Sequence, residues 1–507
     1  SICEEGMSVS SIGAQSQLAI QQLTQMRAQF DDLQRQLSTG QKSSTYAGLG
    51  IDRGVTVSLN AQLSAIGAFD NTIDNVMTRI NLMNTALGNM TDITSTVKNA
   101  MVQANGVSGG SSGAAVAQQT AQSSLDELLG LLNTQAGDRY LFSGRATDQP
   151  AVETLDHILN GDGTRAGLKQ LIAERNQADL GADGLGRLVI SAPTPTSVSL
   201  AEDSTSPFGF KLASITTNVT GATVSAPSGT PASMGVDFSA VPNPGETVTM
   251  RFNLPDGTSQ NLTLTATTNS PPGANEFTIG ADPTETASNF QTALTGAIGK
   301  LASTSLTAAS AVAASDDFFS ADANNPPQRV GGSPPFYAAT GMVTGTAANT
   351  VIWYTGETGT DPARSTATAQ IDPSLSVSYG ARANEDAIRT LVQNVATLAA
   401  VTISPSDPNG VALSSALDQR LTVNLGAPGT QTITDIEMDL ATAQTSLQAA
   451  KTRHQQTSST LNDFLQQISG VSNEDVGAQL LTLQTRMQAS MQVTAMLFQT
   501  SLVNYLK

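Results

Sequence analysis

A heptad repeat of apolar residues runs through both ends of this chain and constrains its fold more than any other feature. Apolar or small residues recur at alternating steps of three and four in stretches that begin near Ile12, Ile66 and Ile433. A repeat of this period keeps one apolar seam facing a partner helix, as in coiled coils. The two ends are therefore predicted to pair with each other or with the ends of neighbouring copies, and everything between them is an insertion.

Two glycines interrupt the predicted helices. Gly40 follows a first helix expected over residues 10–37, and Gly470 follows the long C-terminal heptad, after which Val476 begins the pattern of a last helix. Glycine readily adopts the left-handed conformation that closes a helix. These breaks divide the predicted coil into an inner and an outer tier.

The helical period is lost in the middle of the chain. Helices are expected over residues 55–104 and 115–135, with a chain reversal between them at 105–113, and residues 137–144 form a short extended piece between glycines. From about residue 193 to 351, alternating apolar residues and Pro/Gly-rich segments replace the heptad. This shift predicts a small inserted α+β module.

Local signals give the inserted module a hairpin and a helix. Val248 opens an alternating run that reverses at Pro255-Asp256-Gly257, which is typical of a β-hairpin. Asp282 followed by Pro283 predicts a capped helix start, with Glu285 closing a capping box.

The segment that leads back to the C-terminal heptad is predicted to contain further elements. Strands are expected at residues 351–354 and 375–379, and a helix at 385–398.

Composition and charge exclude several classes of function. The chain has 507 residues, of which 13% are charged, and its formal net charge of −18 disfavours contact with a phosphate backbone. No stretch approaches the roughly 18 to 20 apolar residues that cross a bilayer, so membrane insertion is not expected. The N-terminus also lacks the pattern of a cleaved secretory signal, which predicts either a protein that stays inside the cell or export by an uncleaved address.

The residues that carry catalysis or bind metals are few. The two histidines, His157 and His454, are far apart in sequence, and His454 occupies a seam position where a polar layer sets coiled-coil register. Cys3 is the only cysteine, which rules out an intrachain disulfide and a thiolate metal cage. Asp162 and Asp407 could ligate calcium, but turn chemistry explains both better. We expect no enzyme activity, cofactor or metal.

Three motifs in order resemble the bacterial flagellin family. They are Gln36-Leu37-Ser38-Thr39-Gly40 at the end of the first heptad, Arg139-Tyr140-Leu141-Phe142-Ser143-Gly144 after the third helix, and Thr500-Ser501-Leu502-Val503-Asn504-Tyr505-Leu506 near the end. The resemblance covers roughly residues 8–190 and 350–507. It includes flagellin and its relative, hook-associated protein 3.

The resemblance implies a mainly α, long-helix coiled-coil bundle of paired N- and C-terminal segments, with inserted α+β or β outer domains. Residues 8–44 with 471–507 are the expected inner domain, 45–190 with 350–470 the helical-bundle domain with a β-hairpin, and 191–349 the outer domain. It also implies a homopolymer, contacts with hook-associated and cap proteins, an export chaperone, and an extracellular location in the flagellum without a cleaved signal peptide.

The inner seam is poor in large apolar side chains. Small or polar residues occupy some of its positions, among them Ser16, Ala19, Ser490 and Thr494. A pair formed within one chain is therefore expected to be marginal, and its natural partner is the next subunit. The predicted assembly interface consists of Leu23, Met26, Phe30, Leu33, Leu37, Leu480, Leu483, Met487, Met491, Phe498 and Leu502.

Two alternatives to a filament subunit stay open. The Leu141-Phe142-Ser143-Gly144 and Trp353-Tyr354-Thr355-Gly356-Glu357 stretches are closer to hook-associated protein 3, which implies a junction between hook and filament. The run Tyr46-Ala47-Gly48-Leu49-Gly50-Ile51-Asp52 departs from the acidic stretch of many flagellins. A secreted adhesin with a coiled-coil stalk is the alternative of another class.

Overall fold

The structure is a computed structural model that describes residues 5–104, 110–404, 406–426 and 429–505. Cys3 and most of the predicted reversal at 105–113 lie outside the described residues.

Eleven α-helices occur within the described residues. They are α1 (Glu5–Thr39), α2 (Arg53–Ala104), α3 (Gly110–Leu132), α4 (Leu155–Asn160), α5 (Leu168–Leu180), α6 (Pro283–Leu301), α7 (Thr307–Ser320), α8 (Asp386–Ala400), α9 (Gly410–Gly426), α10 (Ile433–Ser469) and α11 (Asn473–Tyr505). The long helices α1, α2, α10 and α11 coincide with the heptads. With the inserted strands, they confirm the predicted fold class.

The strands are short. They are β1 (Gln135–Ala136), β2 (Arg139–Tyr140), β3 (Leu188–Ser191), β4 (Ser197–Glu202), β5 (Lys211–Thr217), β6 (Ala222–Ser228), β7 (Ser233–Phe238), β8 (Thr247–Asn253), β9 (Ser259–Thr267), β10 (Glu276–Thr278), β11 (Gln328–Val330), β12 (Met342–Thr344), β13 (Thr368–Asp372) and β14 (Leu375–Ser378).

The chain divides into two compact units. We call the first the terminal unit, which consists of Ser1–Asn75, Gln370–Ser376 and Thr445–Lys507. The second, the central unit, consists of Val76–Ala369 and Val377–Gln444.

In the terminal unit, α1 packs on α11, and α10 lies beside the start of α2. Lys451 of α10 forms an ion pair with Asp74 of α2, and His454 hydrogen-bonds Asp70 at 2.7 Å. Because the residue numbers rise on one helix as they fall on the other, α2 and α10 are antiparallel.

In the central unit, the rest of α2 presents a buried apolar stripe. Ile80, Met83, Leu87 and Met90 are each at most 1% exposed. Their spacing of three and four is that of the heptad, so the sequence pattern correctly identifies the buried face.

The inserted part of the central unit is built on two four-stranded sheets, ordered β3-β4-β7-β6 and β10-β9-β8-β5. The predicted hairpin is confirmed as β8 and β9, which pair antiparallel. The predicted capped helix is confirmed as α6, whose Phe290 ring lies 5.4 Å from Phe238 and 5.2 Å from Phe277. Both sheets and α6 share one apolar core.

The start of α6 shows the predicted cap chemistry. Asp282 accepts a hydrogen bond from the Glu285 amide at 2.8 Å, and the Glu285 carboxylate accepts one from the Ala281 amide at 2.6 Å. These bonds satisfy amides that the first helical turn leaves without partners.

One predicted strand is wrong. Residues 351–354 form no regular strand, and only an isolated bridge joins Tyr354 to Val152. All four side chains, from Val351 to Tyr354, are buried. The segment therefore passes through the interior instead of showing one face to a core and the other to solvent, as an alternating strand does. The strand predicted at 375–379 and the helix at 385–398 are confirmed as β14 and α8.

Candidate assembly interface

The seam between α1 and α11 follows the heptad. On α1 the half-buried positions include Ala19, Leu23, Met26, Phe30 and Leu33. On α11 the buried and half-buried positions include Val476, Leu480, Leu483, Met487, Ser490 and Thr494. The structure thus brings seven predicted interface residues into a seam within one chain, namely Leu23, Met26, Phe30, Leu33, Leu480, Leu483 and Met487.

This seam is thinly packed. On α11, Val476 and Leu483 are 3% and 8% exposed, whereas the seam residues of α1 are all half-buried. In α10, by contrast, Leu440 and Leu447 are completely buried. Two helices alone cannot enclose a core, so part of each seam side chain stays in contact with solvent.

The other predicted interface residues are not buried in the seam. Leu37, Met491 and Phe498 are exposed, Phe498 to 52% of its surface. The side chain of Leu502 lies outside the described residues. The predicted set therefore separates into a group that closes the intrachain seam and a group that stays exposed.

Further exposed apolar residues lie outside the heptad positions of α1 and α11. They are Leu18, Ile20, Leu481, Val493 and Met496. Leu481 is 68% exposed and Met496 is 65% exposed. Each of these residues except Met496 is one position from a seam residue, so a search for period 3.5 passes over them. The signal that could have revealed them is the excess of apolar residues in α11 beyond the seam.

The two helix-breaking glycines lie side by side. Gln41 and Gly470 form an antiparallel bridge. The Lys42 amide donates to the Ser469 carbonyl at 2.8 Å, and the Val471 amide donates to the Gly40 carbonyl at 3.0 Å. The helices on both sides of the bridge are thus interrupted at the same level, as the sequence predicts. Gly40 has the left-handed φ of 66°.

The candidate catalytic and metal-binding residues have structural partners. His157 hydrogen-bonds Glu153 at 2.9 Å in the central unit, and His454 lies buried in the terminal unit. Asp162 accepts hydrogen bonds from the amides of Thr164 and Arg165, which hold the pKa of its carboxyl well below the usual value.

Asp407 likewise accepts a hydrogen bond from the Asn409 amide, at 2.8 Å. Across the described part of the chain, no three His, Cys, Asp or Glu side chains come together to hold a metal. In the same residues no helix is both long and apolar enough to span a membrane.

Comparison with known proteins identifies the family. Residues 10–147 match the family model for the bacterial flagellin N-terminal helical region. This N-terminal region is that of a bacterial flagellin family protein. The matched region of this flagellin contains most of α1, all of α2 and α3, and the β1–β2 hairpin. A search of curated proteins finds no match.

Membership gives the flagellin a broad role. Flagellins are structural, non-enzymatic proteins that are exported to the flagellum and self-assemble into filaments. This chain is a flagellin-type structural subunit of the flagellum.

Proposed function

We propose that this flagellin polymerises through its terminal helices to build the filament that drives motility. The observation that carries the proposal is the exposure of large apolar side chains on α11, among them Leu481, Met496 and Phe498. Exposed apolar side chains gain free energy when a partner covers them, and a second copy of the chain is the partner that self-assembly requires.

The distribution of charge along α11 supports the same role. The charged residues of α11 are Glu474, Asp475 and Arg486, so the helix carries none from Met487 to Tyr505. The centre of a protein interface is depleted in charge because burying an unpaired ion is costly. The part of α11 from Met487 to Tyr505 therefore suits burial between neighbouring subunits.

Energetics favour burial by neighbours. Covering a side chain that is half exposed contributes about 1 kcal/mol. Leu481, Met496 and Phe498 together would contribute about 3 kcal/mol for each subunit added, before the cost of association.

For the assembled filament we propose three tiers of domains. Residues 8–44 with 471–507 form the inner domain, 45–190 with 350–470 the surrounding helical-bundle domain, and 191–349 the outward domain. The paired interruption at Gly40 and Gly470 supports the inner boundary. The apolar core shared by the two sheets and α6 supports a separate outer domain.

The partners follow from the same role. We propose that hook-associated and cap proteins contact the polymer at its ends, and that an export chaperone covers the exposed face of α11 before assembly. Export would occur without a cleaved signal peptide. A chaperone is needed because a long apolar helix face is prone to aggregation when it is not covered.

Truncation tests the proposal. A variant that ends at Gly470 lacks α11 and is expected to form no filaments when seeded with filament fragments, as measured by sedimentation and electron microscopy. The fluorescence of Trp353, the single tryptophan, reports whether the central unit stays folded, because its indole is buried and donates to the Phe319 carbonyl at 2.9 Å. Filaments formed by a truncated, folded protein would contradict the proposal.

The second candidate function is the junction between hook and filament. It is favoured by the Leu-Phe-Ser-Gly and Trp-Tyr-Thr-Gly motifs, although Phe142 and Trp353 are buried core residues and offer no recognition surface of their own. Abundance distinguishes the two roles. A filament subunit dominates sheared flagella, whereas a junction protein is a trace component.

A further inference from the structure

A buried histidine lies between two carboxylates in the terminal unit. His454 of α10 is 4% exposed. Its Nδ1 lies 2.7 Å from Asp70 Oδ1 on α2, and its Nε2 lies 3.5 Å from Asp372 Oδ1 at the end of β13. One imidazole ring thus meets two separate elements that are distant in sequence.

Other charged groups surround this ring. On α2, Asp74 forms an ion pair with Lys451 of α10. On α10, Arg453 contacts Asp372 Oδ2 at 3.1 Å. The Phe69 ring of α2 packs near the imidazole, with its centroid 6.1 Å away. The hairpin turn that follows Asp372 is thus held to α10 by two contacts, one from Arg453 and one from His454.

The two ring nitrogens differ in their bonding. A neutral imidazole carries one N–H, whereas the protonated ring carries two. Nδ1 is within hydrogen-bonding distance of Asp70, but the buried Nε2 makes no hydrogen bond. When Nδ1 carries the only proton, the Nε2 lone pair faces a carboxylate oxygen, and both groups are acceptors. Protonation of Nε2 turns this contact into a charge-assisted hydrogen bond.

We propose that His454 is a protonation-controlled latch that fastens the turn between β13 and β14, residues 370–376, onto α10. The protonated ring bridges Asp70 and Asp372, so the latch binds α2, α10 and the turn together. The neutral ring keeps Asp70 and releases Asp372.

The direction of the pH dependence follows from linkage. The closed latch favours the protonated ring, so the turn is held more firmly at low pH than at high pH. Arg453 remains charged throughout, so the turn loosens without detaching. The latch depends on the terminal unit of a single chain, and it holds or fails independently of the proposed filament.

Hydrogen exchange tests the latch in the full-length soluble chain. Histidines titrate between about pH 5 and 8, so amide protection of residues 370–376 is measured at pH 5.5 and at pH 8 and corrected for intrinsic exchange rates. Loss of one hydrogen bond predicts that protection falls about fivefold at the higher pH. The amides of α11 serve as an internal reference.

Variants identify the group responsible. His454→Gln cannot change charge, so the pH difference should vanish, and Asp372→Asn should also abolish it while leaving the contact with Asp70 intact. His157→Gln, which changes the other histidine, should behave like the wild type. Equal protection at both pH values in the wild type would overturn the proposal. So would a pH difference that survives in either His454→Gln or Asp372→Asn.

Discussion

Replacing Gly470, the glycine at the C-terminal break, should weaken the bridge that it forms with Gln41. A Cβ at Gly470 would lie 2.3 Å from the Gln466 carbonyl oxygen and 3.1 Å from Gln466 Cγ. Because the first of these atoms is backbone, Gly470→Ala must open the last turn of α10. Forcing extra atoms into a packed site typically costs about 1 to 3 kcal/mol.

Gly40 provides a graded comparison. No atom lies within 4 Å of a Cβ placed there, so Gly40→Ala meets no steric clash. Its φ of 66° nevertheless places alanine in the left-handed region, at a cost of about 1 kcal/mol. We therefore expect Gly470→Ala to weaken the bridge more than Gly40→Ala.

Hydrogen exchange at the bridge measures both effects. The amides of Lys42 and Val471 donate across the break, so their protection reports its opening free energy. A loss of about 2 kcal/mol in Gly470→Ala predicts exchange about thirtyfold faster, and about 1 kcal/mol in Gly40→Ala predicts about fivefold.

A third glycine gives the matched control. Gly67 lies within α2, also in the terminal unit, and has no atom within 4 Å of a Cβ. Gly67→Ala should stabilise its helix by about 0.5 to 1 kcal/mol. Unchanged protection of Lys42 and Val471 in Gly470→Ala would refute the steric reasoning, as would equal effects of the Gly40 and Gly470 substitutions.

Two further predictions concern the central unit. Asp282→Ala removes the cap of α6 and should lower the free energy of unfolding by about 1 kcal/mol, measured by urea titration of Trp353 fluorescence. Burial, with a smaller contribution from Asp316, raises the pKa of Asp317 from 3.8 to about 6, although the Gln328 amide donates to its carboxylate. The native state therefore disfavours the charged form, and stability is lost as the pH rises from about 4 to about 6. Asp317→Asn should add about 1 kcal/mol at pH 7, after allowance for solvent screening, and little at pH 4. Equal gains at both pH values would contradict this account.

The long helices could be predicted because large apolar side chains mark their buried faces. Leu440 and Leu447 keep the heptad and are fully buried, and Asp282 with Pro283 marks the start of α6. In these places local chemistry and tertiary packing favour the same conformation.

Other elements lack large apolar side chains at regular intervals. The first two turns of α7 read Thr-Ala-Ala-Ser-Ala-Val-Ala, and Ala308, Ser310 and Ala311 are fully buried. Small side chains allow neighbouring helices to approach closely, but they leave no large apolar period to detect. The strand predicted from Val351 to Tyr354 is wrong for the opposite reason. Four large residues in a row suggested a strand where the chain passes through the core.

The candidate interface could be predicted only in part. Leu23 and Leu483 lie on the heptad and were predicted, whereas Leu481 and Val493 lie off the heptad and were not. Periodicity identifies the face that one helix presents to its partner. It does not show which side chains a two-helix coil leaves exposed, because exposure depends on whether further helices pack against the pair.

The critical concentration for polymerisation tests the central claim most directly. In the triple variant Leu481→Gln, Met496→Gln and Phe498→Gln, the seam residues are unchanged, so the monomer should keep its helical circular dichroism. Loss of about 3 kcal/mol of burial predicts a critical concentration raised about a hundredfold.

A control variant changes an apolar residue of similar exposure elsewhere. Val343 on β12 is 52% exposed and lies in the central unit, so Val343→Gln should polymerise at the wild-type concentration. A triple variant that assembles at the wild-type critical concentration would show that the exposed apolar side chains of α11 are not what joins the subunits.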